Sequence, residues 1–302
     1  MKWTLSLCCG LLCALVPFGS AAEKKIRVTT TTSMVTDLVK SVGGDRVTVQ
    51  GLMGAGVDPH LYKATAGDIL KLQRAEVIFY NGLMLEGKMQ DLFRQMGERK
   101  KHVFAITEGL AHDRLLSPST FGGHPDPHVW FDVLLWRDCV DSVEKRLSEV
   151  DPAGQGIYRT NAEALKRQMN TLHEWALKRA GELAKEKRIL VTSHDAFNYF
   201  GRAYGFTVVG LQGISTVTEA GIADIAKLVD FVKQHKVPAV FVESSVSHAT
   251  IERISKDAGV KIGGELFSDA MGTPGQKEEG YDLGTYEGMI KHNLNTIVNA
   301  LK

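Results

Sequence analysis

The sequence predicts a two-lobed α/β protein: two doubly wound parallel-sheet lobes joined by a single long α-helix. Three observations predict it. Short runs rich in valine and isoleucine recur with helical stretches between them, and they lack the polar alternation of a sheet with one wet face. These runs fall into two sets of four. Between the sets, from Pro152 to Glu186, no strand signal occurs and apolar or small residues take helical spacing.

Residues 1–22 stand outside the predicted fold. Lys2 is followed by an apolar run from Leu5 to Phe18, too short to span a bilayer, and then by Ser20-Ala21-Ala22. That order is the pattern of a secretory signal peptide, so the chain is expected to be exported to the periplasm. Leu7 stands before Cys8 and Leu12 before Cys13, where lipidation would need a small residue. Retained uncleaved, the segment would act as a membrane anchor.

The first lobe is expected over residues 23–151, with strands in "KIRVTTTT" (25–32), "VTVQGLM" (47–53), "EVIFYNG" (76–82) and "HVFAIT" (102–107). The linking helix follows over 152–187. Asp151-Pro152 opens it, and Tyr158, Ala162, Leu165, Met169, Leu172 and Ala176 line one face. About 34 helical residues would reach about 50 Å, the length of both lobes. The second lobe, 188–302, holds "RILVTSH" (188–194), "TVVGLQG" (207–213), "AVFVESS" (239–245) and "VKIGGELF" (260–267). The polar, glycine-bearing "GTPGQKEEGYD" (272–282) reads as a surface loop.

Composition narrows the function. Three of the four cysteines lie in the leader, which leaves Cys139 alone, so no internal disulfide forms and the fold stands on its core. Lysine plus arginine number 36 and aspartate plus glutamate 35, a balance that points to neither nucleic acid nor an anionic membrane as partner. The chain has no phosphate-binding Gly-x-x-x-x-Gly-Lys-Ser/Thr loop, no His-Glu-x-x-His and no Gly-x-Ser-x-Gly elbow.

Ten histidines remain to be sorted. His102, His173, His235 and His292 sit in or beside predicted strands and helices without a partner nearby, and His112 and His248 stand out little more. His60, His128 and His194 differ, because each lies at or beyond a strand end, as Asp269 does after "VKIGGELF". Ligands of open α/β sheets bind outside the carboxyl ends of the strands. Two of these groups come from each lobe, so facing lobes would bring all four into the cleft. Three imidazoles and one carboxylate make a four-donor set for zinc.

The triplet Asp-Pro-His occurs twice, at Asp58-Pro59-His60 and Asp126-Pro127-His128. Proline stiffens the stem of each histidine, and the aspartate would either open a turn or orient an imidazole. His124 competes with His128, but Pro125 and Pro127 forbid the helical turn that would bring the two together. It is kept as an outer or gating residue.

At these residues the sequence resembles the TroA-like solute-binding proteins of zinc and manganese ABC importers. The resemblance is carried by "GLMGAGVDPHLYKATAGDI", "DPHVWFDVLLW", "ILVTSHDAFNYFGRAYGF", "GLQGISTVTEAG", "FVESS", "IGGELFSDAMG" and "GTYEGMIKHNLNTIV", in order along the whole mature chain. It implies a monomeric periplasmic receptor that holds one metal ion in the interlobe cleft and hands it to a separate permease and ATPase. Carried over position by position, the family's ligands fall on His60, His128, His194 and Asp269. Zinc-dedicated members often carry a long histidine-rich loop where this chain has only "LSPSTFGGHPDPH", and manganese-dedicated members commonly have glutamate where His194 stands.

The expected cargo is therefore one Zn(2+), with Mn(2+) close behind, since an imidazole-rich site follows an affinity order in which zinc stands far above manganese. Binding should weaken as pH drops through roughly 6.5, where free imidazole takes a proton. The rival readings are a secreted metal-dependent hydrolase, which would need an open coordination position and a general base, and a surface adhesin with an incidental metal.

Overall fold

A computed structural model describes residues 25–99 and 101–302. The leader predicted over residues 1–22 lies outside that range.

In the first lobe, β1 (Ile26–Thr30), β2 (Val47–Gly51), β3 (Val77–Tyr80) and β4 (His102–Ala105) form one parallel sheet in the order β2-β1-β3-β4. Helix α1 (Ser33–Gly43) covers one face, while α2 (Ala66–Arg74) and α3 (Gln90–Glu98) cover the other. Strand β3 shows why its sequence lacks polar alternation: Val77 and Phe79 face the α1 side, whereas Ile78 packs with Leu72 of α2 and Phe93 of α3. Thr32 caps α1, and Thr65 with Asp68 forms a reciprocal capping box on α2.

Helix α4 (Val133–Val150) then leads to α5 (Gln155–Ala180). The long helix is shorter than the sequence predicts: Pro152–Gly154 form a 3-10 turn, and the α-helix proper runs 26 residues. It stops at Gly181 because the chain turns back to bury Leu183, whose carbonyl accepts both Nε and Nη2 of Arg188. Periodicity alone could not show that fold-back.

The second lobe has parallel pairs β5 (Ile189–His194) with β6 (Thr207–Gln212) and β7 (Ala239–Glu243) with β8 (Lys261–Leu266), with β5 beside β7. Helices α6 (Asn198–Tyr204), α7 (Ile222–Gln234), α8 (Ala249–Ala258) and α9 (Tyr286–Leu301) surround them. The segment read as a surface loop contains a small antiparallel hairpin, β9 (Lys277–Glu278) with β10 (Tyr281–Asp282). Asp282 orders it by accepting the backbone N–H groups of Gly275 and Gly284.

One apolar core runs through both lobes. It joins Val28 and Phe79 of the first sheet to Phe241 and Leu266 of the second through α1, α4, α5 and α9, with Trp130 and Trp136 buried between them. A separate cluster of Val191, Leu228, Val232, Val240 and Ile254 serves α7 and α8 on the far face of the second sheet. Both lobes thus direct the carboxyl ends of their strands at a common cleft.

Candidate metal centre

His194 and Asp269 are placed at or just past a strand end, whereas His60 and His128 are carried on longer loops beyond β2 and β4. His60 follows β2, and the Asp58 carboxylate accepts its backbone N–H at 2.8 Å across Pro59. His128 lies between β4 and α4. Its stem is pinned where Asn81 Nδ2 donates to the Pro127 carbonyl at 3.1 Å. His194 ends β5. Asp269 lies three residues past β8, in a segment held by Asn293 on both sides of Phe267, by Ser33 Oγ at the Met271 N–H, and by Trp130 Nε1 at the Ser268 carbonyl.

The four side chains meet. One donor atom from each lies within 4.8 Å of all the others, and all four residues are buried. Nε2 of His60 and of His128 stand 3.3 Å apart. His194 Nε2 is 3.3 Å from Asp269 Oδ2, and His128 Nε2 is 3.4 Å from Asp269 Oδ1. A tetrahedral cation with bonds of 2.0–2.1 Å separates its ligand atoms by about 3.3–3.4 Å, the length of these three spacings, with His128 and His194 each meeting a different oxygen of Asp269. A fourth pair, His60 Nε2 to Asp269 Oδ2, is longer at 3.9 Å. The buried Asp269 oxygens face imidazole Nε2 atoms at 3.3–3.9 Å, so this carboxylate needs positive charge among the rings, carried either by protons on the imidazoles or by a bound cation.

Behind the donors stand two further carboxylates. Asp126 Oδ1 lies 2.7 Å from His128 Nδ1 and also accepts the His128 backbone N–H, while Glu243 Oε2 lies 2.6 Å from His194 Nδ1 and Oε1 accepts the His194 N–H. Such partners fix the ring orientation and leave Nε2 as the donor. Burial resists charge on His128, but Asp126 and Asp269 outweigh it and push the ring up to about 9. The same contest, with Glu243 and Asp269 prevailing, raises His194 well above the usual imidazole range. His60 goes the other way: burial, helped by the neighbouring imidazoles, lowers it to about 3 against the pull of Asp269. Burial would raise Asp269, yet the surrounding histidines hold it well below the ordinary carboxylate range.

A model of the family described as ZnuA, "Zinc-uptake complex component A periplasmic", matches residues 28–300. The chain belongs to that family. Among relatives of this ZnuA-family chain, the manganese-binding lipoprotein MntA of Bacillus subtilis is 45% identical over 96% of this chain and 94% of its own. The zinc-binding protein TroA of Treponema pallidum is 44% identical over 94% and 92%. The solved structure of that periplasmic TroA superposes with a TM-score of 0.86 at 44% identity, covering 92% of this chain and 99% of the other. The chain is thus a relative of TroA, and, as a ZnuA-family member, a metal-binding receptor of an ABC importer and no enzyme. The hydrolase reading finds no support.

In this ZnuA-family chain the four residues expected at the cleft are the four that converge. His124 does not join them; it is exposed, with its ring edge against Phe121, and lines an outer cavity with His60. Four other histidines have local contacts. His292 bridges Glu278 and the Glu265 carbonyl, His248 reaches Glu265, His235 packs on Phe231 and His173 lies beside Tyr204. The two aspartates of the repeated triplet also part ways: Asp126 orients an imidazole, whereas Asp58 holds the backbone turn of His60 and reaches Thr216 across the cleft.

Sequence reasoning missed Glu243 and Glu86. Glu243 ends a strand on the same side as His194, a position that signals the cleft. Glu86 is fully buried and accepts Thr31 Oγ1 together with the Asn81 and Gly82 backbone N–H groups, tying the β1 and β3 ends to the His128 stem through Asn81. Burial raises its pKa against those bonds. Nothing in its local sequence gave that away.

Proposed function

We propose that this chain captures a divalent transition metal outside the cytoplasm with His60, His128, His194 and Asp269 as ligands, and delivers it to the permease and separate ATPase of an ABC importer. The observation that supports this most directly is the convergence of four buried donors at ligand-to-ligand spacing. Three imidazoles and a carboxylate favour zinc as the cargo. Manganese is the second reading. Both Asp269 oxygens face the histidines, so the carboxylate can bind through two atoms and serve a cation that takes more oxygen ligands. One relative named for manganese and one named for zinc are nearly equally similar, which leaves the choice to the donor set.

The receptor is read as a periplasmic monomer, exported by the signal peptide at 1–22, with lobes at 23–151 and 188–302 and the linking segment at 152–187. Among the described residues no helix is long and apolar enough to cross a membrane. The family partners, a permease and an ATPase, are read as separate chains. Elemental analysis of protein isolated from its native compartment, with zinc and manganese titrations of the metal-free form, tests the cargo. Alanine at any one of the four ligands should weaken zinc binding by at least about tenfold, while His124→Ala should leave it unchanged. Retention of full affinity by His128→Ala would sink the assignment.

A further inference from the structure

The four donors are not held alike. His128 and His194 each have a carboxylate at Nδ1, whereas among the described residues the carboxylate at ion-pair distance from the His60 ring is Asp269, on the ligand side. His60 is also the donor at the way out: it lines a cavity of about 290 Å³ together with Met84, Phe121, His124, Ser215 and Val217. What positions it is its backbone. Asp58 Oδ1 accepts the His60 N–H at 2.8 Å, and the other oxygen of the same carboxylate accepts the Thr216 hydroxyl at 2.6 Å. Thr216 comes from the opposite lobe, in the loop between β6 and α7, and is itself buried although Val217 beside it is 53% exposed.

We propose that Thr216 is a latch that retains the captured cation: by fixing Asp58 from across the cleft, its hydroxyl keeps the His60 stem closed over the site and sets the rate at which metal leaves. For an ion to exit through the cavity, His60 must swing aside, and the segment carrying Asp58 must move with it. The Thr216–Asp58 bond spans the two lobes and is charge-assisted, so it is broken in that motion rather than carried along. Removing the hydroxyl leaves the four donors and the Asp58 bond to the His60 N–H intact. Release should therefore quicken while capture does not change. This inference rests on the four-ligand reading.

The test is stopped-flow release of zinc into excess chromogenic chelator from the full chain and from Thr216→Val, Thr216→Ala and Thr216→Ser. The valine and alanine variants should release zinc roughly tenfold faster, the order that one charge-assisted hydrogen bond carries, with association within about twofold of the parent. Serine should restore the parent rate, and the metal-free variants should melt with the parent, which a merely structural role would not give. Equal release from parent and valine or alanine variants, or serine as fast as valine, overturns the latch. His60→Ala in the same assay separates the two claims: zinc held as tightly as in the parent would overturn the ligand assignment itself, whatever Thr216 does.

Discussion

His60 and His128 share one three-residue spelling yet carry opposite electrostatics, with the first lowered to about 3 and the second raised to about 9. The difference is Asp126, which turns toward its own histidine ring, while Asp58 turns away across the cleft. This alters the expected pH dependence. On the proposed ligand set a metal would displace protons that the carboxylates favour on His128 and His194, so affinity should keep rising with pH beyond 6.5 and up to about 9, not level off near the free imidazole value. The sign for stability is the reverse in the metal-free protein. A raised folded pKa for His128 stabilises below 6.5 and is lost as pH climbs through about 9, so the metal-free form should melt earlier across that window and the loaded form should not. Calorimetric titration in buffers of different ionisation heat reads the released protons directly. Asp126→Asn should lower both the proton count and zinc affinity, the latter by about 10–100-fold. Binding at pH 7 with no proton release would refute this account.

Among the elements, the eight main strands were legible because branched apolar runs covered on both faces leave a plain signature. The convergence of the four candidate donors was legible because parallel strands fix which end of a sheet meets the ligand. The end of α5 was not, since Gly181 acts only together with the burial of Leu183 and the Arg188 contacts, which are tertiary. The same holds for Glu243 and Thr216, whose partners lie 49 and 158 residues away. The start of α5 has a half-buried anchor: Asp151 accepts Nε and Nη2 of Arg46 at 2.7 and 3.0 Å and the Tyr158 hydroxyl at 2.6 Å. Arg46 is the main cause of the lowered Asp151 pKa, with burial opposing it. Its contribution is therefore present above the ordinary carboxylate range and is lost as pH falls through the lowered value. Asp151→Asn should cost roughly 2 kcal/mol in denaturant unfolding at neutral pH and nothing at strongly acid pH. An equal loss at both would mean the carboxylate charge is not what matters.

At the scale of the whole molecule, a core common to both lobes, with Trp130 bonded to Ser268 and Tyr286 bonded back to the Trp130 carbonyl, resists rotation of one lobe against the other. Capture and release should then be local events at the cleft mouth, and small-angle scattering should give superposable profiles for metal-free and zinc-loaded protein. A clear contraction on loading would show a hinge instead. The carboxylates behind the histidines have one more consequence. Asp126, Glu243 and Asp269 surround a site where they favour the protonated form of His128 and His194 before any cargo is bound. When two protons leave and one doubly charged cation enters, the sum of charge inside the apolar shell is unchanged. Loading and emptying are then electrically silent exchanges, and the buried interior never faces a net charge that it was not already built to hold.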